Sequence, residues 1–337
     1  MKAVGFTRSL PVTDESCLID LELPVPEPGP RQLLVRVAAS SVNPADAKRR
    51  RRAAVGRDLP VPIVLGYDAV GEVVATGQDV RLFQVGDKIW YSGSIHLPGS
   101  NAEYQVVDER IAGRRPSSLD DAAAAALPLT ALTAWEALFD RLRLVAESES
   151  GRRLLIIGGA GGVGSIAIQL ACLIPGLTVI ATASRTETRD WCHRLGAHDV
   201  IDHGRLLESM GASGFKTVDY ILNCADTSGY WAAMAELIRP EGSIASIVEP
   251  SGPVDLGLLL MKSATFAWEN MSTRPFFSLD TMQRQHEILG GIADLVDEGK
   301  IRSTHTRTLR GLTGATLREA HRAIESGHTV GKIAVVY

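Results

Sequence analysis

Residues 154–171 read LLIIGGAGGVGSIAIQLA. Residues 154–157 form a short run of the kind that makes a buried strand, and an apolar helix is expected over 162–174. Between them, Gly159-Ala160-Gly161-Gly162-Val163-Gly164 fits G-x-G-x-x-G. In that pattern the first glycine permits a tight turn, the second lets the backbone approach a pyrophosphate, and the third lets helix and strand pack closely. The unpaired N–H groups of the helix start then face phosphate. A strand before the glycines and a helix after them form the context in which the pattern means dinucleotide binding.

Working outward, strands are expected at 178–182, 218–223 and 243–248, and helices at 187–195 and 230–237. Strands alternating with helices imply a doubly wound parallel sheet. Further helices are expected at 281–297 and 315–326, and a last strand at 332–337. The first third has a different texture. Short apolar runs at 33–40, 63–65, 71–75 and 88–90 are separated by Pro28-Gly29-Pro30, Gly77 and Gly86-Asp87, the spacing of a barrel or sandwich. No helical period runs through this part. Ser118-Leu119-Asp120-Asp121 resembles a capping box before an alanine-rich helix that Pro128 ends or kinks. A second helix is expected over 130–145, with Leu132, Trp135, Leu138, Phe139 and Leu142 on one face.

A site for NAD places Asp or Glu about 20 residues beyond the glycines, to bond the ribose hydroxyls. Here that spacing lands on Ser184 and Arg185, with Arg189 one turn further, and the nearest carboxylate, Glu187, begins the next helix. A hydroxyl and a guanidinium suit a 2′-phosphate, so the expected cofactor is NADP(H). With 35 Lys+Arg against 39 Asp+Glu, the net charge of −4 argues against a dedicated nucleic-acid binder. The basic run 48–52, with Arg57, is accordingly read as a solvated loop. No uncharged apolar run approaches membrane-spanning length, and MKAVGFTRSL lacks the apolar region of a secretory signal. Four cysteines, Cys17, Cys172, Cys192 and Cys224, lie far apart without paired spacing, as free thiols in a reducing cytoplasm do.

Several further segments join the glycine turn: 41–46 (SVNPAD), 62–73 (PIVLGYDAVGEV), 85–89 (VGDKI), 127–134 (LPLTALTA), 195–202 (LGAHDVID) and 331–336 (GKIAVV). Together they resemble the medium-chain dehydrogenase/reductase superfamily, and within it the zinc-independent quinone oxidoreductases. The resemblance implies an α/β chain. An N-terminal GroES-like β-barrel domain, 1–125 with 300–337, stands beside a Rossmann doubly wound parallel-sheet domain, 126–299. Zinc-containing alcohol dehydrogenases of that superfamily have cysteine where Asn43 stands and Gly-His-Glu at Gly66-Tyr67-Asp68. Catalytic zinc needs about three N, S or carboxylate ligands. Asn43, Tyr67 and Asp68 do not supply them, His96 stands alone, and no metal is expected.

The resemblance also assigns roles. It puts Asn43 near the nicotinamide and the substrate oxygen, although Asn before Pro44 is also an ordinary turn former. Tyr67 is either a donor or a packed ring, and Asp46 either orients the site or caps a helix. Lys48 stands where many quinone oxidoreductases have tyrosine, and is either a cationic donor or solvated. Thr130 corresponds to a threonine beside the nicotinamide. Asn223, Cys224 and Ala225 end one strand near the ribose, Ile247 and Val248 end the next near the nicotinamide, and Lys332 reaches toward a cofactor phosphate. Phe266 and Trp268 either wall the substrate cleft or pack in the core.

Without a Lewis acid, isolated ketones are hard to reduce. Quinones and α,β-unsaturated carbonyls are easier, because charge spreads into an oxygen that hydrogen bonds can stabilise. The expected activity is therefore NADPH-dependent, zinc-independent reduction of a small quinone or enone. The resemblance implies a homodimer, and the free cysteines a cytoplasmic setting. Two other readings stay open at this level: an NADPH-binding sensor or partner-binding protein with little turnover, and a zinc alcohol dehydrogenase. A short-chain dehydrogenase is excluded, since no tyrosine has lysine four residues on.

Overall fold

A computed structural model of the chain describes residues 1–145, 147 and 149–337. It divides into two units, Met1–Leu129 with Ser272–Tyr337, and Thr130–Met271. The chain opens with β1 (Lys2–Phe6), β2 (Ile19–Glu22), β3 (Gln32–Ser41), α1 (Pro44–Arg52), β4 (Ile63–Val64), β5 (Asp68–Thr76), β6 (Lys88–Ser92), β7 (Tyr104–Asp108), β8 (Ala112–Arg114) and α2 (Asp121–Ala125). Helix α3 (Pro128–Trp135) leads into β9 (Arg153–Ile157), α4 (Gly162–Cys172), β10 (Thr178–Thr182), α5 (Thr186–Arg194), β11 (Asp199–Ile201), α6 (Leu206–Ala212), β12 (Val218–Asn223), α7 (Thr227–Leu237), β13 (Ile238–Ser246) and β14 (Thr265–Trp268). The last elements are α8 (Thr273–Phe276), α9 (Gln283–Asp297), β15 (His305–Arg310), α10 (Gly314–Glu325) and β16 (Lys332–Val336).

In the first unit, seven strands run β15-β16-β3-β5-β6-β8 with β7 also on β3, and a second sheet runs β2-β1-β4. Strand β3 pairs with β5, β7 and β16, so the C-terminal strand returns to the N-terminal sheet, with Ala334 opposite Ser41. Inward residues Leu33, Val35, Val37, Ala69, Val73 and Ile89 form one core, and Val4, Phe6, Leu65, Leu317, Ile333 and Val335 another. In the second unit, β11-β10-β9-β12-β13-β14 form an all-parallel sheet. Renumbered within the unit, that order is 3-2-1-4-5-6, the dinucleotide-binding arrangement whose order reverses between β9 and β12. Its central strands β9, β10 and β12 are mostly buried on both faces and so read as largely apolar runs.

Four expectations are corrected. The basic run forms helix α1 rather than a loop. Pro44 suits the first helical position, and Asp46 at the start and Arg49–Arg52 at the end complement the helix dipole. Only Asp46, Ala47 and Arg50 are buried on it, so the helix has no apolar period to read. Asp120, not Ser118, caps α2, accepting the Ala123 N–H at 2.8 Å, while Ser118 bonds Asp297. Pro128 opens α3 instead of ending its predecessor, and α3 passes into a π-helical turn, Glu136–Arg141, closed by the Leu142 N–H on Ala137 O at 2.9 Å. The border between units falls after Met271, not after 299, because α9 belongs to the first unit: His286 Nδ1 meets Ala112 O at 2.8 Å, and Leu289 lies against Gly113.

Arg50 is fully buried where α1 meets α10. Its guanidinium donates to Leu10 O and Glu325, and its Nε to His321 Nδ1 at 3.4 Å. Burial, reinforced by the Arg50 charge, pushes the His321 imidazole down to about 3 from 6.5. The unfolded chain therefore binds a proton below 6.5 that the native chain refuses until about 3. Stability is expected to fall by about 1.4 kcal/mol per pH unit across that window from this residue. Urea midpoints measured from pH 7 to pH 4 check this, since His321→Asn should show a shallower acid slope than the unmodified chain.

Candidate active site

In the first unit a buried polar cluster joins the ends of β3, β5 and β16 to the start of α1. Asp68, fully buried at the start of β5, organises it. Its Oδ2 accepts from Ser41 Oγ at 2.6 Å, Asn43 Nδ2 at 2.8 Å and Lys332 Nζ at 3.0 Å, and its Oδ1 from the Leu129 N–H at 2.7 Å. Four donors match the acceptor capacity of a carboxylate. Lys332, read from the sequence as reaching toward a phosphate, is 4% exposed and directs its ammonium at Asp68, Asn43 Oδ1 (2.6 Å) and Val42 O (3.1 Å). All three of its donors are engaged within its own unit, and none is left for a phosphate.

Asn43 precedes α1, and its backbone N–H donates to Asp46 Oδ2 at 2.9 Å within a capping box. Asp46 Oδ1 accepts the Gly66 N–H at 3.0 Å. Gly66 has φ +104°, and an added Cβ would stand 2.4 Å from Ser100 Oγ, so only glycine fits. Burial pushes the Asp46 carboxyl up to about 6 against those two N–H bonds and the Lys332 charge. Tyr67 is mostly buried, and its hydroxyl is raised first by burial and then by Asp46, with Arg49 pulling the other way. Lys48 is half-buried on α1, one turn beyond the cluster. His96 Nε2 donates to Phe276 O at 2.9 Å, and its ring lies 4.8 Å from that of Phe276.

In the second unit the glycine turn divides its work differently from the sequence reading. The positive-φ turn falls on Gly158, one residue before the motif, with φ +86°. Thr182 anchors it, taking the Gly158 N–H on Oγ1 at 3.0 Å and the Gly159 N–H on its carbonyl at 3.1 Å. Gly159 is required for packing instead, since a Cβ there would meet Ala181 at 2.8 Å and Cys192 Sγ at 3.0 Å. A Cβ on Gly164 would lie 2.3 Å from Gly158 O, whereas at Gly161 it would meet only that oxygen, at 3.5 Å. Ala160 continues the turn, and Gly162 and Val163 open α4, whose start has no side-chain cap. Its first N–H groups thus lack helical partners beside an uncrowded backbone, a cradle that fits a pyrophosphate.

Apart from Thr130 on α3 and Arg189 on α5, the other expected residues of this unit lie at or just beyond carboxyl ends of strands, where open parallel sheets bind ligands. Ser184 and Arg185 are exposed between β10 and α5, and Arg189 Nη1 reaches Ala183 O at 3.4 Å. Asn223 is buried, bonding Thr227 Oγ1 (3.0 Å), Ser246 Oγ (3.1 Å) and the Ala225 N–H (3.1 Å). Beside it, burial pushes the Cys224 thiol up to about 12. Ile247 and Val248 directly follow β13, and Thr130 is buried on α3. Phe266 packs against the core with its ring edge-on to Trp231 and Trp268, while Trp268 is exposed.

Comparison with known proteins bears on this geometry. The zinc-binding dehydrogenase family model matches residues 195–335, and the alcohol dehydrogenase GroES-like domain model matches residues 29–117. A zinc-type alcohol dehydrogenase-like protein of Staphylococcus epidermidis is 41% identical over 341 residues, covering 99% of both chains. This chain belongs to the medium-chain dehydrogenase/reductase superfamily. Its fold is accordingly a GroES-like domain plus a Rossmann-type domain, and its class is an oxidoreductase using a nicotinamide cofactor. A Rhizobium etli crystal structure described as a candidate zinc-dependent alcohol dehydrogenase superposes with TM-score 0.94 at 46% identity, covering 100% of this chain and 98% of that one. An NADPH-dependent alkenal/one oxidoreductase of Arabidopsis thaliana is 38% identical over 191 residues, 55% of this chain and 48% of its own.

The names of those relatives raise zinc, and this superfamily member's residues do not fit it. Asp68 already accepts from four donors, one of them an ammonium at 3.0 Å, and the Asn43 oxygen is taken by the same ammonium. A divalent ion placed there would face the Lys332 charge. Among the described residues, no group of three or more His, Cys, Asp or Glu is arranged to hold a metal. The sequence reading named Asp68 only as a missing ligand and overlooked Ser41, Gly158 and Thr182. Glycine doubled before the motif was the one available signal, for Gly158. Asp68→Ala is expected to cost about 3–5 kcal/mol by leaving the Lys332 ammonium buried and unpaired. Urea unfolding measures it, and a loss below about 1 kcal/mol would contradict this account of the cluster.

Proposed function

We propose that this oxidoreductase is an NADPH-dependent reductase that transfers hydride to quinones or α,β-unsaturated carbonyls without a metal ion. The observation that carries the reading is the chemistry of the Asn43–Asp68–Lys332 cluster, which offers hydrogen-bond donors and a buried ammonium where metal chemistry would need free ligands. When bound, the cofactor supplies the hydride. The chain's residues do the rest. The turn Gly159–Gly164 and the start of α4 hold the pyrophosphate; Thr130, Asn223, Cys224, Ala225, Ile247 and Val248 border the ribose and nicotinamide; Ser184, Arg185 and Arg189 read the 2′-phosphate.

Asn43 donates to the substrate oxygen, where the electron pair arrives as the new C–H bond forms at the conjugated carbon. A proton from solvent completes the reduction. Asp46, Tyr67 and Lys48 shape and polarise that end of the site. A donor of this kind suffices only where conjugation already spreads the charge. The name of the Arabidopsis relative, an NADPH-dependent alkenal/one oxidoreductase, agrees with this chemistry.

The test is a nucleotide-oxidation assay on chelator-treated protein, with an enone and then a quinone as acceptor and NADH in parallel. Turnover is expected without added metal, with kcat/KM about 10- to 100-fold in favour of NADPH, the range of one arginine–phosphate bond. Arg185→Ala should remove most of that preference and leave the NADH rate unchanged. Turnover that appears only after zinc is added, or equal use of both nucleotides, contradicts the proposal.

We further propose that the enzyme works in the cytoplasm as a homodimer joined at the edge of the parallel sheet. In support, β14 is the terminal strand, and Leu256, Leu260 and Met261 nearby expose large apolar surfaces. No helix among the described residues is long and apolar enough to cross a membrane. Light scattering is expected to give twice the 36.1 kDa chain mass, and Phe266→Asp or Met261→Asp should reduce it toward one.

A further inference from the structure

The Asn43 amide is oriented by chemistry that leaves one arrangement. An ammonium only donates, so Lys332 Nζ at 2.6 Å must face the amide oxygen. An ionised carboxylate only accepts, so Asp68 Oδ2 at 2.8 Å must face the amide nitrogen. The two partners agree, and the ambiguity of an amide's two ends vanishes. The nitrogen carries a second hydrogen that has no acceptor among the described residues.

One structural feature marks this as more than packing. The buried ion pair of Lys332 with Asp68 is a poor device for stability alone, since apolar residues of similar volume commonly replace such pairs without loss. A second feature is chemical. An ammonium on the amide oxygen draws electron density from the nitrogen and strengthens its remaining N–H as a donor.

We propose that Lys332 is a positioning residue for Asn43, locking and polarising the amide with Asp68 so that its second N–H is presented to the carbonyl oxygen of a quinone or enone. This rests on the reductase reading above and deepens it. The ammonium on the amide oxygen and the carboxylate on the amide nitrogen together hold the donor in one orientation from within the chain.

The experiment is a double-mutant cycle of Asn43→Ala and Lys332→Met with an independent spectroscopic arm. Each single variant is expected to lower kcat for enone reduction about 10- to 100-fold, the scale of one oxyanion donor, with NADPH affinity within about twofold. The double variant should be little slower than either single one, because Lys332 acts through Asn43. Asp68→Leu with Lys332→Met removes the orphan charge, so it should melt near the unmodified protein and remain slow.

In the cofactor-free protein labelled with 15N-asparagine, the side-chain amide pair missing from Asn43→Ala is expected to show two well-separated, slowly exchanging proton signals. In the folded Asp68→Leu/Lys332→Met protein the two signals should converge and exchange quickly. Multiplicative losses in the cycle, normal kcat in the folded charge-free variant, or an unchanged amide pair in that variant each overturn the proposal. If the unmodified protein reduces no quinone or enone with either nucleotide, the reductase reading fails instead, and the amide signals alone decide whether Lys332 orients Asn43.

Discussion

One buried carboxylate constrains much of the first unit. Asp68 cannot lose its partners without leaving a buried carboxylate unpaired, so Ser41, Asn43, Leu129 and Lys332 must all come to it. Those residues belong to β3, the start of α1, the end of the unit's first segment and β16. Their convergence ties residues nearly 300 positions apart and accounts for a sheet built from both ends of the chain. The same convergence fixes the loop before α1, and with it the residues from Asn43 to Asp46.

The second unit obeys a different constraint, the approach of backbones. Gly158, Gly159 and Gly164 are each required at a particular place: one for its positive φ, one against Ala181 and Cys192, one against the turn's own carbonyl. Gly161 stands free of such crowding, its nearest neighbour the Gly158 carbonyl at 3.5 Å from an added Cβ. The parallel sheet and the glycine turn are thus one device, in which close packing at two glycines shapes the opening at a third.

Much of this was legible in the residues. Buried parallel strands read as apolar runs, so β9, β10 and β12 stood out, and glycine spacing marked the turn between β9 and α4. Helix α1 did not stand out, because arginine, alanine and aspartate make no apolar period, and a buried Arg50 looks in sequence like its solvated neighbours. The place of α9 in the first unit was hidden for a related reason: an amphipathic helix shows that it has an apolar face, not which sheet that face meets. In the second unit the glycines could be read from spacing, whereas Asn223–Ala225, Ile247 and Val248 came only through the family resemblance. The Asp68–Lys332 pair spans 264 residues, and no local pattern reports a contact at that separation.

The proposed chemistry rests on what the cluster provides. It offers oriented donors and an ammonium paired with a carboxylate; on the reading proposed above, these serve a substrate that carries its own conjugation and fall short for an isolated carbonyl. The position of the new C–H bond is therefore the most direct test. Reduction of a simple enone with NADPH deuterated at the transferred position, followed by mass spectrometry and NMR of the product, locates the label. The account predicts one deuterium at the carbon β to the carbonyl of a saturated ketone. Deuterium on the carbonyl carbon of an allylic alcohol would contradict it, since that product requires stabilisation of an isolated alkoxide, which this cluster is not built to give.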